Sequence, residues 1–183
     1  MAIAFDDIAR IFDAKGACGY DGEPVTQLEH ALQTATFAEA EGAAAPLVAA
    51  SLLHDLGHML NDQGDTPTLR GVDDVHQYAA LPFLRGLFGD DVLLPIQLHV
   101  DAKRYLCAAR PDYYASLSAD SQRSLALQGG VFSDDAADRF IRQPFAADAV
   151  RLRIWDDRAK CAGATTPTLA HFLARVRAVT AAQ

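Results

Sequence analysis

The sequence predicts an all-α fold, and three observations predict it. Apolar residues recur at helical spacing along most of the chain, Ser, Thr or Asp stands at the start of those segments as a helix cap, and no stretch alternates as a half-buried strand does. A chain of 183 residues with 50% hydrophobic content is enough for one domain, residues 1–183, with a substantial core.

The elements follow in chain order. Phe5, Ile8, Ala9, Ile11 and Phe12 mark a first helix over Phe5–Ala14, which Gly16 stops. Cys18 to Pro24 has the Gly and Pro content of a loop. Thr26-Gln27-Leu28-Glu29 is a capping box, so a second helix starts there, carries His30 in its first turns and runs to Glu41 ahead of Gly42. Pro46 opens a third, Ala-rich helix that continues to Leu60 through Leu52-Leu53-His54-Asp55-Leu56-Gly57-His58. The join between the second and third is short, which predicts antiparallel neighbours.

Asn61 to Thr68 is polar and rich in turn formers. Asp73-Asp74 supply a cap and negative charge for a helix that carries His76 and bends at Pro82. His99 and Lys103 lie one turn apart on a helix over Val92–Cys107. Arg110 to Tyr114 reads as a loop, Ser118 caps a short helix ending at Gln128-Gly129-Gly130, and Ser133-Asp134 starts another ending near Pro144. Phe145–Cys161 forms a long helix, and Thr166-Pro167 opens a last one whose Leu169, Phe172, Leu173 and Val176 make a core stripe.

Charge and cysteine content narrow the function classes. A net charge of −8 with no Lys/Arg cluster argues against a nucleic-acid surface. Cys18, Cys107 and Cys161 have no CxxC spacing and read as reduced thiols. Without a basic-flanked apolar leader or an apolar run of roughly 20 residues, the chain is expected to be soluble and cytoplasmic, with no membrane partner, as a monomer or weak homo-oligomer.

The chemistry centres on His54-Asp55. A buried imidazole and carboxylate both need partners, and a metal ion satisfies the two together. His30, His76, His99 and an acid in Trp155-Asp156-Asp157 lie on separate predicted helices as further candidate ligands; with His58 they leave only His171 unassigned. His58, Lys103 and Lys160 follow His54, His99 and Asp156 by one turn, and Arg153 precedes Asp156 by three, so each shares a helix face with a candidate ligand. This register selects Asp156 over Asp157. It describes a metal cage with a cationic rim, suited to an anionic phosphoryl group. Glycine loops of the P-loop or dinucleotide kind are absent. Imidazoles mixed with carboxylates suit iron or manganese better than magnesium, and a redox metal opens oxygen chemistry.

The His30…His54-Asp55…Asp156 pattern resembles the HD-domain superfamily. His76 and His99 are similar to the extra ligands of its dinuclear subset, which includes mixed-valent diiron oxygenases. Within that subset the chain most resembles the PhnZ-type 1-hydroxyphosphonate oxygenases of phosphonate catabolism. The features are Gly19-Tyr20-Asp21-Gly22-Glu23, His58, Lys103, Ser124-Leu125-Ala126-Leu127-Gln128-Gly129-Gly130, and Arg153-Ile154-Trp155-Asp156-Asp157-Arg158-Ala159-Lys160.

The resemblance implies an HD-domain helical bundle with a dinuclear site holding two Fe ions, Fe(II)/Fe(III). His30, His54 and Asp156 would hold one iron and His76 and His99 the other, with Asp55 bridging. Tyr20 would occupy an open position on the second iron and swing away for substrate, helped by Glu23, which then engages the substrate amine. His58, Lys103 and Arg153 would grip the phosphonate, with Ser121, Ser124 and Gln128 as further contacts.

The implied substrates are O2 and an organophosphonate, 1-hydroxy-2-(amino or trimethylammonio)ethylphosphonate, giving glycine or glycine betaine plus phosphate. Tyr20, Glu23, Asp62, Tyr105 and Tyr113 could meet either kind of amine. The rivals are an HD-type phosphohydrolase for a small phosphate ester or nucleotide, using the same cage to activate water, and a non-catalytic metal- or nucleotide-binding domain. Tyr20 and Glu23 separate the first rival, since a hydrolase needs no displaceable phenolate.

Overall fold

Helices make up every regular element of the computed structural model, which describes residues 4–20, 22–61, 64 and 66–180. In chain order they are α1 Phe5–Lys15, α2 Gln27–Ala40, α3 Ala45–Leu53, α4 Leu56–Leu60, a 3-10 turn Pro67–Arg70, α5 His76–Ala79, α6 Leu81–Leu84, α7 Asp90–Ala109, α8 Tyr113–Ser116, α9 Ala119–Leu127, α10 Asp134–Ile141, α11 Ala146–Arg158 and α12 Leu169–Ala178. Asp21, Asp62, Gln63 and Asp65 of the sequence motifs and loops lie outside the described residues.

The caps form as the side-chain chemistry requires. Thr26 accepts the Glu29 amide while Glu29 accepts the Thr26 amide, and Ser118, Ser133 and Thr168 accept the amides of Ser121, Ala136 and His171. The last helix therefore starts at Thr168, two residues beyond the predicted start, because that hydroxyl makes the bond. The predicted loop at Arg110–Tyr114 runs into a single helical turn, α8. Gly42, at φ +68°, ends α2 in a conformation that costs glycine little.

α3 is buried from Leu47 to Leu53, as expected of a helix that is apolar all round. It packs against α2, α7, α11 and α12, and α11 in turn packs on α7 and α2. Their small residues, Ala35, Ala38, Ala49 and Ala50, let the helices approach, and Leu52, Leu53, Ile96, Leu152, Trp155 and Phe172 fill the space between them. A smaller core of Leu98, Ala102, Phe140, Ala146 and Ala149 joins α10 to α7 and α11.

The main departure from expectation lies in the middle of this bundle. The continuous helix predicted from Pro46 to Leu60 breaks at His54-Asp55: α3 ends at Leu53, Asp55 has φ −102° and ψ 12°, and α4 restarts at Leu56. His54 and His58 therefore do not share one helix face. The predicted helix of His76 is likewise two short ones, α5 and α6, meeting at Ala80 just before Pro82. Beyond the first break, α4 seats Gly57 directly on the His76 backbone. A Cβ at Gly57 would stand 2.0 Å from the His76 carbonyl oxygen.

Gly57→Ala is therefore expected to destabilise the fold by about 1–3 kcal/mol through overpacking, measured by urea unfolding. A variant as stable as wild type would mean that the contact between α4 and α5 yields freely.

Candidate metal centre

Six buried side chains converge where α2, α3, α5, α7 and α11 meet. His30 Nε2 lies 3.3 Å from His54 Nε2 and 3.4 Å from Asp156 Oδ1. His76 Nε2 lies 3.0 Å from His99 Nε2. Asp55 stands between the pairs: its Oδ2 is 3.4 Å from His30 and 3.3 Å from His54, and its Oδ1 is 3.4 Å from His76 and 3.6 Å from His99. The break after Leu53 allows this, because a continuous helix would carry Asp55 round to another face.

The other ring nitrogens decide the protonation. Nδ1 of His30, His54 and His99 meets the carbonyl oxygens of Ala159, Ser51 and Ile96 at 2.9, 2.9 and 2.7 Å. A carbonyl only accepts, so each Nδ1 carries the proton and each neutral ring turns a bare Nε2 lone pair inward. The Asp74 carboxylate does the same for His76 Nδ1, at 2.8 Å. Lone pairs facing one another at 3.0–3.3 Å repel unless a cation stands among them.

The carboxylates give the same result. Asp55 Oδ1 and both Asp156 oxygens are buried without a hydrogen-bond partner; the Arg153 guanidinium lies 2.8 Å from Asp156 Oδ2, and the oxygens turned to the histidines are an expensive arrangement unless a further cation completes it. Burial opposes ionisation of Asp55, yet its imidazole neighbours, His54 foremost with His58 and His30, hold its pKa well below the carboxylate range. Burial works against a charged His54 too, but Asp55 and Asp156 draw its pKa up. Burial, then His76 and His54, push His99 well down. The residues therefore fit two metal ions, one among His30, His54 and Asp156 and one among Asp55, His76 and His99.

Tyr20 covers the first cluster. Its ring stacks on His30 at 3.9 Å, and its hydroxyl donates to Asp55 Oδ2, the oxygen facing His30 and His54, at 2.8 Å. Burial, then the charges of Asp55 and Asp156, raise its pKa well above the usual phenol value. His58 stacks on His76 at 4.0 Å, with Nε2 3.8 Å from Asp55 Oδ1.

A pocket opens beside the clusters, and Lys103, Ser121, Ser124, Gln128 and Arg153 line it. Lys103 Nζ donates to Ser124 Oγ at 2.6 Å, and burial, with Arg153 beside it, lowers its pKa to about 7. Gln128 Oε1 is buried without a partner. Arg153 contacts Asp156 Oδ2 at 2.8 Å and forks onto Asp157, which also accepts the Tyr113 hydroxyl. Of the two adjacent acids, Asp156 thus faces the histidines, while Asp157 faces Arg153 and Tyr113. Glu23 pairs with Lys160 at 3.1 Å. Tyr105 packs on Phe140 in the smaller core and does not line the pocket. His171 pairs with Glu39 on the surface.

One residue of this centre was read from the sequence only as a helix cap. Asp74 bridges His58 Nδ1 at 2.6 Å and His76 Nδ1 at 2.8 Å; burial opposes its charge, but these bonds depress its pKa. Its position two residues before a candidate histidine ligand was the available signal. The turn that brings it there puts Val75 at φ +47°, an uncommon conformation for a β-branched residue. Asp74→Asn is expected to weaken metal binding at the His76–His99 cluster about 10–100-fold, read by chelator competition. An unchanged competition curve would remove Asp74 from its support.

No family model matches the chain. It is 45% identical over 158 residues to a hydroxymethylphosphonate dioxygenase of Gimesia maris, covering 86% of this chain and 78% of that one. It is 37% identical over 170 residues to the glycine-betaine-forming [1-hydroxy-2-(trimethylamino)ethyl]phosphonate dioxygenase of Leisingera caerulea, covering 93% and 87%. An uncharacterized protein of Acanthamoeba polyphaga mimivirus is 33% identical over 156 residues, covering 84% and 71%. With the paired His/Asp clusters on an all-helical frame, these similarities show that the chain belongs to the phosphonate dioxygenase family.

Proposed function

We propose that the protein uses O2 to cleave the C–P bond of a 1-hydroxyalkylphosphonate at a mixed-valent Fe(II)/Fe(III) pair, releasing phosphate and a carboxylic acid. The observation that carries this reading is the shared Asp55: two bare-lone-pair histidine clusters joined by one carboxylate, opening onto a pocket with buried cations. The two dioxygenase relatives support the reaction class and weigh against the phosphohydrolase that the same ligands would also serve.

His30, His54 and Asp156 would hold one iron and His76 and His99 the other, with Asp55, which faces both clusters, as the shared carboxylate. When bound, the iron pair supplies the one-electron chemistry that dioxygen requires. Lys103 and Arg153 supply positive charge for the phosphonate oxygens, and Ser124 and Gln128 stand on the same wall with hydrogen-bonding groups. Arg153 is held rigid by Asp156 and Asp157, so little side-chain freedom is lost when an anion arrives. His58 meets the substrate from the Asp55 Oδ1 side.

Tyr20 covers the site until substrate enters. The Glu23 amide donates to the Tyr20 carbonyl at 2.7 Å and the Tyr20 amide to the Val25 carbonyl at 3.0 Å, so Tyr20 and Glu23 move as one turn.

The test is metal analysis with Mössbauer and EPR spectroscopy on protein made in iron-supplemented cells, together with phosphate release from hydroxymethylphosphonate, 2-amino-1-hydroxyethylphosphonate and its trimethylated analogue. Iron with a mixed-valent signal perturbed by one of these compounds, and O2-dependent phosphate release, are expected. Redox-inert metal with hydrolysis of phosphate esters would overturn the reading.

A second expectation concerns pH. As pH rises through the Lys103 pKa of about 7, the amine loses the proton that pairs with an anion, so its contribution to phosphonate affinity falls in that window. Calorimetric titration under anaerobic conditions across neutral pH should show this loss in wild type and not in Lys103→Met. Identical profiles would assign the dependence to another group.

A further inference from the structure

α9 and the residue that ends it supply Ser121, Ser124 and Gln128 to the pocket wall, yet little apolar packing holds this helix. Of its own residues only Ser121 and Leu125 are buried, so polar contacts set its position. At its start Lys160 Nζ lies 3.3 Å from each of the Ser118 and Ser121 hydroxyls, and Asp120 joins Thr68 and Arg123. Inside the pocket Lys103 Nζ donates to Ser124 Oγ. An anion entering the pocket competes for that amine, so this bond cannot by itself keep the wall in place.

The far end of α9 is fastened from outside the pocket. The helix closes on a glycine turn in which the Gly130 amide donates to the Leu125 carbonyl at 2.8 Å and Gly129 takes φ +96°. Arg104 then grips the turn. Its Nε donates to the Gly130 carbonyl at 2.9 Å and its Nη2 to the Gly129 carbonyl at 3.3 Å, while Nη1 meets Asp101 Oδ1 at 3.1 Å. The guanidinium also lies over the Phe132 ring, 4.2 Å from its centroid, and Phe132 packs against the smaller core. A Cβ on Gly129 would stand 3.0 Å from Arg104 Nη2, so glycine leaves the room that the guanidinium occupies.

Arg104 and Lys103 are neighbours on α7 with opposite outlooks. Lys103 is buried and lines the pocket, whereas the Arg104 side chain is 23% exposed and lies outside it. One stretch of α7 thus places a cation in the pocket and holds the wall that faces it. Gln128 directly precedes the clamped glycines, and its buried Oε1 has no partner.

We infer that Arg104 is a positioning residue for substrate binding: by clamping the Gly129-Gly130 turn to α7 from outside, it holds Ser124 and Gln128 in register with Lys103 around the bound anion. The inference rests on the dioxygenase reading above. The planar guanidinium fork holds two successive carbonyls in one fixed geometry, which a lysine ammonium at the same place does not. α9 carries none of the residues placed around the metals, so the role is confined to the anion.

The experiment measures anaerobic calorimetric affinity, kcat and KM for hydroxymethylphosphonate and 2-amino-1-hydroxyethylphosphonate. The proteins are iron-loaded wild type, Arg104→Met, Arg104→Lys, Gln128→Ala and the double variant Arg104→Met/Gln128→Ala. Arg104→Met should weaken binding of whichever compound the wild type takes by about tenfold, with KM rising accordingly and kcat falling less. Arg104→Lys should recover part of that loss. Gln128→Ala should cost about tenfold on its own but less than about threefold in the Arg104→Met background, because the two act through one wall. Chelator competition for the metals should be the same in wild type and Arg104→Met. Should Arg104→Met not fold, Arg104→Gln carries the same comparison.

An affinity that Arg104→Met leaves unchanged, a Gln128→Ala loss of equal size in both backgrounds, or metal lost at lower chelator concentration in Arg104→Met overturns the inference and leaves the dioxygenase reading standing. Wild-type protein that binds and turns over neither compound overturns both.

Discussion

Ionised carboxylates held away from water among neutral imidazoles dominate this structure. Asp55 and Asp156 are 5% and 1% exposed, and oxygens on both lack a hydrogen-bond partner. A protein of marginal stability cannot leave such groups uncompensated, since each uncompensated buried charge costs several kcal/mol. Arg153 compensates one side of Asp156, and Tyr20 one oxygen of Asp55. The remaining oxygens face imidazole lone pairs, and a pair of metal ions resolves the electrostatics of both.

Much of the bundle can be understood as scaffolding for that arrangement. α3 is buried on all sides so that the residues at its end are fixed by packing, and its break turns Asp55 between the clusters. The Ala159 carbonyl that orients His30 is supplied by the end of α11. A reciprocal pair of bonds between Gln33 and the Cys161 backbone, at 3.0 and 3.1 Å, fastens the chain just beyond it. α5 is too short to be stable alone, and the seat of Gly57 on its backbone holds it in place. Backbone carbonyls and Asp74 set each ring tautomer, so the metal-binding electronics are built into main-chain geometry.

Lys103 and Arg153 form a buried cationic wall that suits a phosphonate, and burial keeps their field strong by excluding water. Two dioxygenase relatives named for substrates with different tails match this chain at comparable coverage.

The sequence by itself determined the all-α class, the capped starts of α2, α9 and α10, and the identities of the residues that converge. Those features are local: a capping box acts over four residues, and His54-Asp55 in an apolar run is conspicuous because it is expensive there. The register of Arg153 likewise indicated which of Asp156 and Asp157 faces the histidines, since helix periodicity carries over short distances, whereas α11 ends at Arg158, so Lys160 does not share the helix face expected of it and pairs with Glu23 instead. Tertiary structure alone decided the rest. Helical periodicity runs through His54-Asp55 without interruption, yet the helix breaks there and Gly57 beyond it seats on the backbone of His76 from elsewhere in the chain. Asp74 is a helix cap by its neighbours in sequence and a bridge between His58 and His76 by its neighbours in space. The pairing of Glu23 with Lys160 and of Asp157 with Tyr113 depends on where α11 ends against the first loop and α8, a long-range packing outcome that no spacing encodes.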